Sequence, residues 1–132
     1  MIDAARAQVL SPTKDEMAPY PIAAEWRPTF REVVCALVEG DFLLSRGIPR
    51  VRPVPPARAE QMRKYVGSYG ETLMPLPDDS WQTSESQWMG SFWDVSIDLW
   101  TVREGRSDMV LDARVFEADG GYEIELISLY VP

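Results

Sequence analysis

The sequence contains no histidine and only one cysteine, Cys35. Without histidine the chain cannot build a Ser-His-Asp or Cys-His catalytic group or a histidine-ligated zinc site. A single cysteine cannot form a disulfide within the chain, and a lone thiol fits a reducing compartment. We therefore expect a cytoplasmic protein in which Cys35 is a small buried side chain rather than a reactive thiol.

Other signatures of function are also missing. The chain has no Gly-x-Gly-x-x-Gly or Walker phosphate loop and no calcium-binding loop with EF-hand spacing. No stretch approaches the roughly 18 apolar residues of a transmembrane helix, and the N-terminal segment lacks the basic and apolar regions of a secretory signal. These absences predict a protein with no cofactor, no metal and no membrane contact.

The charges of this 132-residue chain are mostly acidic and unevenly distributed. The net charge is −8, which disfavours nucleic acid and anionic membranes as partners. Residues 46–64 carry six basic side chains and one acidic, a net charge of +5, whereas residues 65–132 carry three basic and thirteen acidic, a net charge of −10. Either the two segments attract each other within the fold, or the acidic segment presents a face to a basic partner.

Two segments have the pattern of amphipathic helices. Thr29 and Glu32 form a capping-box pattern, and apolar residues then recur at helical spacing until Gly40, a residue suited to ending a helix. A second helix is predicted over residues 57–69. The prolines of residues 48–56 make the segment between the two helices an extended connector.

From residue 81 onward the period of the apolar residues changes to two. Three alternating runs, separated by turns at 103–107 and 118–121, predict an antiparallel meander, and residues 81–90 are the candidate for a fourth strand. The predicted fold is α+β, with two main helices packed on one face of a three- to four-stranded sheet. Residues 26–132 form the predicted domain, and residues 1–25 an irregular lead-in with an alanine-rich start compatible with a short helix.

The face of the sheet opposite the helices, called the open face below, carries the candidate binding residues. The predicted register places Asp98 opposite Asp112, and Arg114 between Asp112 and Glu125. The simplest interpretation of this face is a solvated surface with one cluster of ion pairs. The candidate binding residues are Asp94, Asp98, Trp100, Asp112, Arg114, Phe116 and Glu125.

The sequence is compatible with three functions. Carboxylates beside aromatic rings predict a non-enzymatic protein of the immunity or adaptor type that recognises a basic protein surface. The alternative is a small-molecule-binding or carboxylate acid–base enzyme domain, with a pocket lined by Trp81, Trp88 and Trp93. A third hypothesis is a homodimer in which two sheets pair through Phe116, Ile127 and Leu129, which the predicted phase places on the open face.

Part of the sequence resembles a known family. The run Trp-Asp-x-x-x-Asp-Leu-Trp-Thr over residues 93–101, followed by Glu-Gly-x-Ser-Asp over residues 104–108, resembles a small bacterial domain family of unknown function. The resemblance covers residues 26–132 and implies no activity and no catalytic residues. The Glu-Gly-Asp-Phe run of residues 39–42, before a meander, is similar to cystatin-like and NTF2-like folds, and small acidic bacterial proteins of this kind resemble immunity proteins that neutralise toxins.

Overall fold

A computed structural model describes residues 11–132 of the chain. Within this range five strands form one antiparallel sheet in sequence order, and two α-helices accompany them, so the α+β prediction is confirmed but the strand number of three to four was wrong. The predicted short helix at the alanine-rich start lies in residues 1–10, outside the described range. The elements are β1 (Tyr20–Pro21), a 3-10 helix (Ala24–Trp26), α1 (Arg27–Val38), α2 (Pro56–Tyr69), a second 3-10 helix (Asp78–Gln82), β2 (Glu85–Trp88), β3 (Trp93–Thr101), β4 (Gly105–Ala118) and β5 (Gly121–Tyr130).

Helix α1 begins two residues earlier than the predicted cap at Thr29. Pro28 occupies the first turn, where the missing amide hydrogen of proline breaks no helical bond. The Thr29 hydroxyl is hydrogen-bonded to the hydroxyl of Tyr122, 2.9 Å away, rather than to the helix amides. Cys35, expected to be buried, is only partly buried on this helix.

Both helices end at the glycines predicted to end them. At α1 the amide of Gly40 donates to the carbonyl of Leu37 and the amide of Asp41 donates to that of Ala36, which is a Schellman motif. Gly40 has a φ of +83° and Gly70, after α2, a φ of +85°. Glycine adopts these left-handed conformations without the steric cost that a Cβ atom would add.

One hydrophobic core lies between the helices and one face of the sheet. Every odd-numbered residue of β3 is buried, as are the odd-numbered residues of β4 from 107 to 115. Both helices bury their apolar side chains in the same core, so they lie on the same side of the sheet. The even-numbered residues of β3 and β4 therefore face away from the core, as the alternation predicts. No helix within residues 11–132 is long and apolar enough to cross a membrane.

The predicted pairing of β3 with β4 was wrong by two residues. Asp98 lies opposite Val110 rather than Asp112, and Asp112 lies opposite Ser96. The turn is shorter than the predicted loop 103–107, because Thr101 already pairs with Gly105, and this alone would shift the pairing by four residues. An irregularity between Asp98 and Trp100, where the hydroxyl of Ser107 donates to the carbonyl of Leu99 at 2.8 Å, reverses half of that shift. A shift of two residues keeps every side chain on its predicted face.

A β-bulge in β5 reverses the alternation that the sequence predicts after residue 126. Ser128 lies opposite Asp112 and Leu126 opposite Ala113, which leaves Ile127 without a partner residue. Leu129, expected on the open face, is fully buried, and this removes it from the hypothetical homodimer contact. Ser128 and Tyr130 lie on the open face instead.

The basic connector between the helices covers the outer edge of β5. The amide of Arg52 donates to the carbonyl of Ile124, and the amide of Ile124 donates to the carbonyl of Arg50. The guanidinium of Arg50 then donates to the carbonyls of Gly120 and Tyr122 at the β4–β5 turn. The connector thereby satisfies backbone groups that an open sheet edge would leave available for aggregation.

We expect Gly121→Ala to reduce the free energy of unfolding by about 1–3 kcal/mol, because the new Cβ adds both a clash and backbone strain. Gly121 has a φ of +151°, and a Cβ there would lie 2.5 Å from Nη1 of Arg50. Urea denaturation measures the change. Gly67→Ala on α2 is the control, since it meets no atom within 4 Å and should stabilise the helix by up to about 1 kcal/mol. If Gly121→Ala and Gly67→Ala change the free energy of unfolding by the same amount, the close contact between position 121 and Arg50 is contradicted.

Candidate functional site

At the end of the open face nearest the β4–β5 turn, arginines of the connector and of α2 neutralise the acidic side chains. Arg52 lies 2.5 Å from a carboxylate oxygen of Glu123 and 3.6 Å from one of Glu125. Arg58 lies 3.6 Å from the other carboxylate oxygen of Glu125. Glu125 is thus engaged within the fold, as the attraction between the basic and acidic segments predicts.

The aromatic side chains of this end are also covered by arginines. The guanidinium of Arg52 lies 4.4 Å from the ring centre of Phe116, whose ring packs 5.7 Å from that of Phe92. Arg114 stacks on Phe92 at 4.5 Å and forms no salt bridge with any residue from 11 to 132. Arg114 lies opposite Glu125, as predicted, and its charge lowers the pKa of Asp112, but its guanidinium lies against the ring of Phe92 and not against a carboxylate.

In the middle of the open face, the carboxyls of Asp94 and Asp112 meet. Asp94 is diagonal to Asp112 across the β3–β4 ladder on the same face of the sheet, close enough for its carboxyl group to raise the pKa of Asp112. The two residues opposite Asp112 are serines, Ser96 on β3 and Ser128 on β5. Both aspartates are partly buried, and neither forms a salt bridge within the part of the chain that the structure describes.

The surroundings of this Asp94–Asp112 pair favour a protonated carboxyl. Burial, followed by the hydrogen bond that protonated Asp112 donates to Asp94 and by the negative charge of Asp94, raises the pKa of Asp112 to about 7, and the positive charge of Arg114 offsets only part of this rise. Burial and then the charges of both aspartates also raise the pKa of Tyr130, which lies beside the pair. Near neutral pH the pair therefore shares a proton that a nearby cation can displace.

Further along β3, the open face continues to Asp98 and Trp100. A groove of about 460 Å³ lies between the side chains of Asp98, Arg106 and Asp108. Trp100 is partly buried, and its ring lies against the backbone at Gly105. Its indole N–H is buried and has no hydrogen-bond partner among the described residues. Asp98 thus adds a carboxylate beyond the Asp94–Asp112 pair, with an aromatic ring next to it.

The structure divides the seven predicted site residues into two groups. Asp94, Asp98, Trp100 and Asp112 lie on the half of the face without internal ion pairs, whereas Arg114, Phe116 and Glu125 contact other side chains of the fold. Three residues near this site were not predicted from the sequence: Phe92, Ser128 and Tyr130. The alternation of β5 places Ser128 and Tyr130 on the core side, and the bulge that moves them to the open face is not visible in the sequence. Phe92 was predictable, because it is the even-numbered residue just before β3 and so shares the face of Asp94. Within residues 11–132, no group of three or more acidic, cysteine or histidine side chains is placed to hold a metal ion.

Residues 34–132 match a protein family model, and this range includes α2, strands β2 to β5 and the whole open face. The chain belongs to the family Domain of unknown function (DUF7668). The predicted membership in a domain family of unknown function is thereby confirmed. A comparison with curated proteins and with solved structures finds no match.

The raised pKa of Asp112 makes stability depend on pH. Between about pH 4 and 7 the folded domain holds a proton that the unfolded chain has released, since the ordinary pKa is 3.8. The free energy of unfolding therefore falls as the pH rises through this range. Asp112→Asn removes the charge and keeps a hydrogen-bond donor, so we expect it to stabilise the domain at pH 8 by about 1 kcal/mol after allowance for solvent screening.

Urea denaturation of both proteins at pH 5 and pH 8 tests this expectation. The gain from Asp112→Asn should be present at pH 8 and absent or reversed at pH 5. Asp108→Asn on the same strand is the control, because Asp108 is exposed and has no part in the pair. A gain of equal size at both pH values would show that the pair does not titrate in this range.

Proposed function

We propose that this domain is a non-enzymatic binding protein, of the immunity or adaptor type, that recognises a basic protein partner through the open face. One observation carries the proposal: the Asp94–Asp112 pair forms no salt bridge within residues 11–132, although Arg114 lies directly opposite Asp94, with its guanidinium on the ring of Phe92. The fold pairs Glu123 and Glu125 on the same face with its own arginines. Two carboxyls held together cost stability, and a guanidinium or ammonium group of a partner would offset that cost in the complex.

The surroundings of the pair support a protein partner. The hydroxyls of Ser96, Ser128 and Tyr130 supply hydrogen-bonding groups, and Trp100 adds a large ring of the kind that is enriched at interfaces. Asp98 extends the acidic surface along β3. The net charge of −8 would also steer a basic partner toward the domain at low salt. We place this interaction in the cytoplasm, in keeping with the lone thiol.

A second candidate function rests on the same pair. A carboxyl with a pKa of about 7 beside another carboxyl is an arrangement that acid–base enzymes use. An enzyme would need the pair for turnover of a small substrate, whereas the binding function needs it for affinity toward a cationic chain. Variants of the pair therefore separate the two functions, since only the binding function predicts a loss of affinity for a cationic peptide.

The test uses a synthetic peptide of alternating arginine and serine as the probe, with affinity measured by fluorescence anisotropy at low salt. We expect Asp94→Asn/Asp112→Asn to weaken binding about tenfold, because each charge-assisted hydrogen bond between a carboxylate and the peptide is worth roughly 1 kcal/mol or more. Because Asp112 ionises near pH 7, wild-type affinity should also rise between pH 6 and pH 8. The double variant should lack this rise.

Asp79→Asn/Asp119→Asn is the matched control. It removes the same number of charges from two exposed positions away from the open face. If general charge attraction alone holds the peptide, both double variants will weaken binding equally and the proposal fails. The same two variants, used as baits, then separate a specific cellular partner from basic proteins that adhere to any acidic surface.

A further inference from the structure

A cavity of about 300 Å³ lies on the core side of the sheet, where the first 3-10 helix meets the β4–β5 turn. The side chains of Trp26 and Trp93 form its floor, with 1% and 4% of their surface exposed. Their ring centres are 5.1 Å apart in an edge-to-face arrangement, and the ring of Tyr122 lies 6.4 Å from Trp26. Because Trp93 points into the core side, this cavity is separate from the open face.

Two carboxylates stand at the rim of this aromatic cavity. Glu25 and Glu117 both line it, and both are exposed. Glu25 forms no salt bridge with any side chain in the described range. Trp26 and Trp93 are too little exposed to present a ring face to a ligand, and the guanidinium of Arg50 lies 5.1 Å from the ring centre of Tyr122. The carboxylates at the rim therefore supply the attraction for a positively charged organic ligand, and the rings supply an apolar floor.

The chain itself already places an ammonium group at this rim. Nζ of Lys14 lies 2.8 Å from a carboxylate oxygen of Glu117 and 5.1 Å from the ring centre of Trp88. The ring of Trp88 is in turn 4.6 Å from that of Trp93. The indole N–H of Trp93 donates to the carbonyl of Thr13, so the segment that carries Lys14 is fixed to the cavity floor.

We propose that this cavity binds a small organic ammonium ion, held by Glu25 and Glu117 above the tryptophan floor, and that Lys14 competes with it as an internal occupant. The volume is at the lower end of the range for ligand cavities, which favours a small molecule. Lys14 and Glu117 are 50% and 60% exposed, so their ion pair is weak enough for a ligand to displace. A tethered competitor nevertheless acts at an effective concentration of about millimolar, which lowers the apparent affinity.

Choline and its neutral isostere 3,3-dimethyl-1-butanol are the probes, and the indole N–H resonances of Trp26 and Trp93 are the readout in a nuclear magnetic resonance titration. We expect choline to shift both resonances to saturation and the alcohol to need a concentration about tenfold higher. Lys14→Ala should lower the dissociation constant for choline about tenfold, because the internal competitor is gone.

A second substitution tests the carboxylate. In the Lys14→Ala background, Glu117→Gln should weaken choline binding about tenfold. Asp119→Asn, in the adjacent turn and outside the cavity, removes the same charge and should change binding less than about twofold. The substitutions Asp94→Asn/Asp112→Asn should leave choline binding unchanged, so this inference and the proposed function fail independently.

Three results would overturn the inference. Equal binding of choline and the alcohol would show a cavity that is only apolar. An unchanged dissociation constant in Lys14→Ala would show that Lys14 does not compete for the site. Equal losses of affinity from Glu117→Gln and Asp119→Asn would show that overall charge, and not the rim carboxylate, attracts the ion.

Discussion

Alternate burial along β3 and β4 is the constraint on which the rest of the domain depends. The odd-numbered residues of both strands fill the core beneath the two helices, so the even-numbered residues must face the other way. A shift of the strand register by one residue would bury several aspartates and expose the aliphatic side chains. Since an unpaired buried carboxylate costs several kcal/mol, this alternative fold is excluded. The open face and its acidic character follow from the packing of the core.

The basic connector explains why the two halves of the open face differ. Its arginines extend around the edge of β5. Arg50 donates a hydrogen bond to the carbonyl of Gly120 in the β4–β5 turn, and Arg52 pairs with Glu123 and lies over the ring of Phe116. In the half beyond their reach the Asp94–Asp112 pair forms no salt bridge with any residue from 11 to 132. The attraction between the basic and acidic segments therefore applies to one half of the face, and the other half has carboxylates without internal ion pairs. This asymmetry within one face is the basis of the proposed function.

The sequence predicts the parts of the fold that depend on local pattern. Gly40 and Gly70 mark helix ends, and the period of two assigns the faces of β3 and β4. The register of β3 against β4 was not predictable, because it depends on the length of the β3–β4 turn and on the irregularity where Ser107 bonds to Leu99. The bulge at Ile127 left no signal, since apolar residues occupy both parities of β5. As a result the sequence identified the aspartates of the site but paired Asp112 with Asp98 instead of Asp94.

Adjacent residues of β3 serve the two cation-directed sites. Trp93 points to the core side and forms the floor of the aromatic cavity, while Asp94 points to the open face and joins Asp112. The sheet separates them, so one ligand cannot contact both. The two proposed sites would also take different cations: a cavity of about 300 Å³ has room for a small ammonium ion, whereas a carboxyl pair on an open sheet suits side chains that project from a larger surface. Alternation along one strand is therefore sufficient to give a small domain two separate surfaces for positive charge.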